Sequence, residues 1–254
     1  IIALIQCVLK KINYRLVDFF CGVGGIRLGF ELASKKFSCV FSNDIDKNAI
    51  KTYETNFPTH KVDSTSISEL SSESIPDFDI FVGGFPCQPF SVAGNLKGFE
   101  DERGNLFFDI IRILRDKKPS AFLLENVKNL ETHDSGKTYK RIKKELLEAG
   151  YFFKKKVLNS SQYGNIPQNR ERIFIVGFRD KKRAEKFKFP SRLELRRTVS
   201  SLLECKVQDK YYYTENSKIY PILEETITED VKTGQVYQYR RKYVRANKSG
   251  VCPT

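Results

Sequence analysis

A short apolar strand that runs straight into a glycine-rich turn and then a helix constrains this chain more than any other feature. Leu16-Val17-Asp18-Phe19-Phe20 leads into Cys21-Gly22-Val23-Gly24-Gly25, and Ile26 to Ser34 follows with helical spacing. Similar units recur. Phe37 to Phe41 ends in Asn43-Asp44, Phe78 to Val82 runs into Gly83-Gly84, and Ala121 to Leu124 ends in Glu125-Asn126. Leu106 to Arg115 has apolar residues at helical intervals, and Tyr139 to Ala149 reads as a basic amphipathic helix stopped by Gly150. Further strands are expected at Phe152 to Leu158 and Ile173 to Phe178. Strands alternating with helices predict an α/β fold with a mostly parallel sheet flanked by helices. Such sheets bind ligands beyond the carboxyl ends of their strands.

Composition narrows the class. The 254 residues carry a net charge of +13, which points to an anionic partner, nucleic acid ahead of a membrane surface. No apolar run reaches the ~18 to 20 residues of a bilayer span. The Ile1 to Ile5 run is too short for a span and ends at Lys10-Lys11, unlike a signal peptide. Six cysteines are scattered without a C-x-x-C pair and there are two histidines, so neither a metal site nor a disulfide framework is expected. That cysteine usage suits a reducing, intracellular setting. The last third differs from the rest: residues 180–254 hold a net +7 and seven of the twelve tyrosines. The expected division is 1–180 and 181–254, the second part a contact domain.

Four constellations carry chemistry. The Asp18–Gly25 turn lets a ligand approach the backbone and offers free helix N–H groups. Asp44, 22 residues after Gly22, suits ribose hydroxyls. A dinucleotide and S-adenosylmethionine both fit, although the glycine spacing is not G-x-G-x-x-G; a purely structural turn fits as well. Gly83-Gly84-Phe85-Pro86-Cys87-Gln88-Pro89-Phe90-Ser91 places a cysteine in a polar, proline-bounded turn, where a nucleophile is a better reading than a core thiol. The loop after it, Ser91 to Gly104, has the composition of a mobile lid. Glu125 ends an apolar strand, where a carboxylate is costly without a partner or a task. Gln168-Asn169-Arg170-Glu171-Arg172 leads into the last strand; a strand extended back through Arg172 would set Arg170 and Arg172 on one face. A solvated edge is the plainer reading of that pair.

Taken together and in this order, F-x-G-x-G-G, G-F-P-C-Q, E-N-V and Q-x-R-x-R resemble the cytosine-5 DNA methyltransferases of bacterial restriction–modification type, from about Leu16 to Phe178. The resemblance implies a Rossmann-like S-adenosylmethionine-dependent methyltransferase fold. It implies methyl transfer to carbon 5 of cytosine in a specific double-stranded DNA sequence. By that likeness Cys87 is the nucleophile, Glu125 meets the ring nitrogen at position 3 and the exocyclic amine, Arg172 holds the base carbonyl and Arg170 helps orient the site. Phe20, Gly22, Val23 and Gly25 surround the methionine end of the donor, Asp44 its ribose, and Ile45, Asp63 and Leu106 complete the pocket. Ile45 stands where an aromatic residue is common, and Ser64 where an apolar one is usual, which implies a looser adenine site.

The resemblance also implies base flipping, a cytoplasmic monomer without membrane contact, and protection of DNA against a cognate restriction endonuclease. Alternatives within or near the family are a tRNA cytosine-5 methyltransferase and an inactive DNA-binding fragment. A nicotinamide-dependent dehydrogenase is disfavoured by the glycine spacing. The segment from Arg245 to Thr254 resembles the opening of a further family motif, and no methionine stands at position 1. The expectation is therefore a partial target-recognition domain in a C-terminally truncated fragment, weakly active or inactive alone.

Overall fold

The structure is a computed structural model that describes residues 2, 4–5, 13–86, 102–226, 236–240, 243–247 and 251–252. The chain divides into two compact units: residues 1–157 with 172–190, and residues 158–171 with 191–254.

The first unit is built on one six-stranded sheet. Its strands are β1 (Tyr14–Phe19), β2 (Phe37–Asn43), β3 (Ile80–Gly83), β4 (Ala121–Val127), β5 (Phe152–Asn159) and β6 (Glu171–Phe178). The order across the sheet is β2-β1-β3-β4-β6-β5. β1 pairs in parallel with β2 and β3, and β3 with β4, but β6 runs antiparallel to β4. The expected mostly parallel sheet is present, and the reversal of β6 against β4 has a consequence for the site. It brings the start of β6, not its end, to the carboxyl end of β4, with Val127 opposite Arg172.

Alternation along the strands explains the two cores. Val17, Phe19, Phe81, Phe122 and Leu124 face one layer; Tyr14, Leu16, Ile80, Val82 and Leu123 face the other. The first layer is closed by α3 (Glu102–Lys117), through Phe107, Ile110, Ile111 and Leu114, and by α4 (Lys137–Glu148), through Ile142 and Leu146. The second is closed by Phe30 of α1 (Gly25–Ala33) and by Ala184 and Phe187 around α6 (Lys181–Lys186). α3 and α4 thus bury apolar stripes at the 3.6-residue period.

The helix α2 (Lys47–Asn56) goes unpredicted by periodicity, because Tyr53 is its single buried residue. Its start is nonetheless written in the chain: Asp46 caps it, accepting from the Asn48 and Ala49 amides at 2.8 and 3.0 Å. No helix among the described residues is long and apolar enough to cross a membrane.

The second unit holds less regular structure. It contains a short α5 (Ser160–Tyr163), α7 (Tyr220–Thr226) and an antiparallel hairpin of β7 (Tyr237–Arg240) and β8 (Tyr243–Ala246). Within the hairpin Val244 is buried while Tyr239, Arg240, Tyr243 and Arg245 are exposed. The second unit includes residues 158–171, which the sequence reading grouped with the first part.

Candidate active site

The end of β3 delivers the chain to Cys87 through Gly84, Phe85 and Pro86. Cys87 itself, and the loop through Asp101 that covers most of the expected lid, lie outside the described residues. The approach to them is well defined. Phe85 is buried, and its carbonyl accepts from Asn126 Nδ2 at 3.3 Å. Asn126 is itself buried, and its Oδ1 accepts from the Val127 amide at 2.8 Å. A Cβ on Gly84 would sit 3.3 Å from Glu125 Oε2, so the chain entering the cysteine turn passes tightly beside that carboxylate. Glycine there allows the close approach.

Glu125 pairs with Arg172, Oε1 to Nε, at 3.1 Å, and both side chains are about one-fifth exposed, 21% and 19%. The sheet explains the meeting. Glu125 lies opposite Phe174 in the antiparallel ladder, and Arg172 stands two residues earlier on the same face, a diagonal neighbour. Arg170 lies just ahead of β6, in the second unit. Its carbonyl accepts from the Ser160 amide at 3.0 Å and its own amide donates to the Gln168 carbonyl at 3.0 Å.

The glycine turn lies at the carboxyl end of β1. Phe20, Gly22 and Gly24 all take positive φ, at 52, 53 and 89°. The turn is tied to its neighbour strand: Cys21 N–H donates to the Asn43 carbonyl at 3.2 Å, and Gly22 N–H to Asp44 Oδ2 at 2.8 Å. Asp44 Oδ1 accepts from the Asp46 amide at 2.9 Å. Asp63 bridges to Asn43, and its carbonyl accepts from the Asp44 amide at 3.1 Å, so both carboxylates sit at one strand end. Val23 and Ile45 are 54% and 67% exposed, apolar side chains left open beside this cluster. Leu106 is half-buried in α3, packed against the core. The turn residues, Asp44, Ile45 and Asp63 are thus gathered at adjacent strand ends.

Two residues that the sequence reading did not single out lie under this turn. Asp18 is 1% exposed, and neither carboxylate oxygen has a hydrogen-bond partner among the described residues. Burial pushes its pKa well above the usual carboxylate range, and the Arg27 backbone amide and guanidinium only partly offset that. The signal in the sequence is a carboxylate inside an apolar strand. Arg27, 8% exposed, lies in the first turn of α1.

The sign of Asp18's effect on stability follows from linkage. Below about pH 3 the carboxyl is mostly neutral in folded and unfolded chains alike. As pH rises the unfolded chain ionises while the folded one resists, so stability is lost. Asp18→Asn is therefore expected to leave urea unfolding nearly unchanged near pH 3 and to stabilise the free protein by roughly 1–3 kcal/mol at pH 8. The same difference at both pH values would contradict it.

The described thiols beneath the turn are poorly suited to nucleophilic attack. Burial pushes the Cys21 and Cys39 pKa values up, which keeps both as neutral thiols.

Comparison with known proteins agrees with this geometry. The family model for C-5 cytosine-specific DNA methylase matches residues 14–251. The type II methyltransferase M.Bsp6I of Bacillus sp. (strain RFL6) is 48% identical over 244 residues, covering 94% of this chain and 76% of the relative. M1.ScrFI of Lactococcus lactis subsp. cremoris is 46% identical over 233 residues, covering 91% of this chain and 58% of the relative. Among solved structures, the Entamoeba histolytica methyltransferase EhMeth superposes with a TM-score of 0.66 at 22% identity, over 85% of this chain and 66% of that one, a likeness of fold. With its glycine turn, its cysteine approach and its glutamate–arginine pair in place on such a sheet, the chain belongs to the C-5 cytosine-specific DNA methylases.

Proposed function

We propose that the protein transfers a methyl group from S-adenosylmethionine to carbon 5 of cytosine in a specific duplex DNA sequence, with Cys87 as nucleophile. The observation that supports this reading most is the Glu125–Arg172 pair, 3.1 Å apart and hard against the glycine that leads to Cys87.

Cytosine is a poor nucleophile at carbon 5. Addition of the Cys87 sulfur to carbon 6 moves electron density to carbon 5 and to the ring nitrogen at position 3. Glu125, hydrogen-bonded to that nitrogen and the exocyclic amine, stabilises the charge as it develops. Arg172 holds Glu125 in place and offers its remaining N–H groups to the base carbonyl. Asn126 holds the backbone at Phe85, two residues ahead of Cys87 in the chain. Once carbon 5 has gained the methyl group, loss of its proton to water and departure of the Cys87 sulfur as thiolate would restore the aromatic ring. A cytosine within a duplex is reached by rotating it out of the stack.

The residues fit the methyl donor. α1 follows Gly24, which has no side chain to cap it, so no side-chain cap occupies the first N–H groups of the helix. The unpartnered Asp18 carboxyl lies beneath, and the open Val23 and Ile45 side chains offer an apolar surface to an adenine ring. Phe20, Gly22, Val23 and Gly25 would hold the methionine end, Asp44 the ribose hydroxyls, and Ile45, Asp63 and Leu106 the adenine side. When bound, the donor supplies an electrophilic methyl group on a sulfonium.

Residues 1–180 then form the catalytic part and 181–254 a target reader, with Arg170 helping to orient the reacting groups. The exposed Tyr239, Arg240, Tyr243 and Arg245 of the hairpin suit contacts to phosphates and base edges. The names of the relatives, type II methyltransferases, favour DNA over tRNA and support pairing with a restriction endonuclease. A monomer acting inside the cell completes the reading.

Radiolabelled S-adenosylmethionine and duplex DNA provide the test. Label is expected at carbon 5 of cytosine, with a steep fall in binding as salt rises. Label appearing in tRNA and not in DNA would overturn the substrate assignment.

A further inference from the structure

Arg27 occupies a place that helix energetics disfavours. It lies in the first turn of α1, where the macrodipole repels a cation, and it is buried. Its partners explain its persistence. Nε donates to Glu31 Oε1 at 2.8 Å and Nη1 to the Tyr53 hydroxyl at 3.1 Å. The guanidinium carbon lies 3.9 Å from the centre of the Phe57 ring, a close cation–π contact. Tyr53 and Phe57 also contact each other, with ring centres 4.8 Å apart.

These two rings press on the glycine turn. A Cβ on Gly24 would lie 2.3 Å from Phe57 Cε2 and 3.1 Å from Tyr53, so the rings fill the space a side chain would need. Next to them Asn56 Nδ2 donates to the Val23 carbonyl at 3.3 Å. The last turn of α2 therefore braces Val23 and Gly24, while Asp44, just before that helix, holds Gly22. A glycine-rich turn has more conformations to lose than any other, so bracing it matters for a ligand that binds its backbone.

We propose that Arg27 is a positioning residue: by holding Tyr53 and Phe57 against Gly24 it fixes the turn that receives the amino-acid end of the methyl donor. The inference rests on the reading of that turn as the donor site. It predicts selectivity, because the brace meets the turn at Val23 and Gly24, on the amino-acid side of the proposed donor site.

Calorimetric titration of the whole chain with S-adenosylhomocysteine and with 5′-methylthioadenosine, which lacks the amino-acid part, tests it. Arg27→Lys and Phe57→Leu are each expected to raise the Kd for S-adenosylhomocysteine about tenfold or more, and that for methylthioadenosine by less than about twofold. Phe57→Leu keeps the buried cation, so it carries the comparison if Arg27→Lys does not fold. Equal weakening of both compounds in a folded variant, or no change in either, would overturn the positioning role and leave the donor site standing. If the unsubstituted chain binds neither compound, the donor-site reading fails and the positioning role with it.

Discussion

With Cys87 replaced by alanine, methyl transfer is expected to fall by about three orders of magnitude or more. The covalent adduct with DNA containing 5-fluorocytosine should disappear at the same time. The reason is chemical. Without a sulfur bonded at carbon 6, carbon 5 never gains the electron density to attack a methyl group, and no other group described near this site substitutes for it. Cys21 and Cys39 are held as neutral thiols by burial. Denaturing gel electrophoresis of labelled DNA after incubation reads the adduct directly. The alanine variant should still bind DNA and S-adenosylhomocysteine, since the removed sulfur is needed for bond formation and not for docking. Undiminished adduct in Cys87→Ala would transfer the nucleophile's role elsewhere.

Glu125→Gln should produce the next largest loss, roughly 10²- to 10³-fold in kcat, with a much smaller change in DNA affinity. The carboxylate does two things that the amide does not. It carries the charge that balances Arg172 at 3.1 Å, and in its protonated form it can pass a proton to the ring nitrogen where negative charge develops. Removing it takes away the counter-charge that stands 3.1 Å from a largely buried guanidinium, at a cost of about 1–3 kcal/mol in unfolding free energy. Single-turnover kinetics separates chemistry from binding, and urea unfolding reads the stability change. A loss confined to KM would show that Glu125 binds the base without favouring the transition state.

How much of this was legible beforehand depends on the distance over which each feature is encoded. Strands such as Phe78 to Val82 and Ala121 to Leu124 are local apolar runs, and their ends carry the glycines and acids that bind or react; both were readable, and the structure sets them at Ile80–Gly83 and Ala121–Val127. The helix Lys47–Asn56 was not, because it is polar overall and buries only Tyr53, so no apolar run marks it. Asp18 and Arg27 were equally hard to assign. A carboxylate in a strand and a cation in a helix announce a burial cost, but not which groups meet them.

The amino-acid sequence by itself determined the α/β class, the order of the motifs and hence the family, because local periodicity and residue type at strand ends encode these directly. Tertiary structure alone decided the pairings. The antiparallel run of β6 against β4 sets Arg172 diagonal to Glu125, 47 positions apart in the chain. The packing of α2 on α1 sets Phe57 against Gly24 and beneath Arg27. Strand direction and helix packing are settled by burial over the whole sheet, and no short window of residues contains that information.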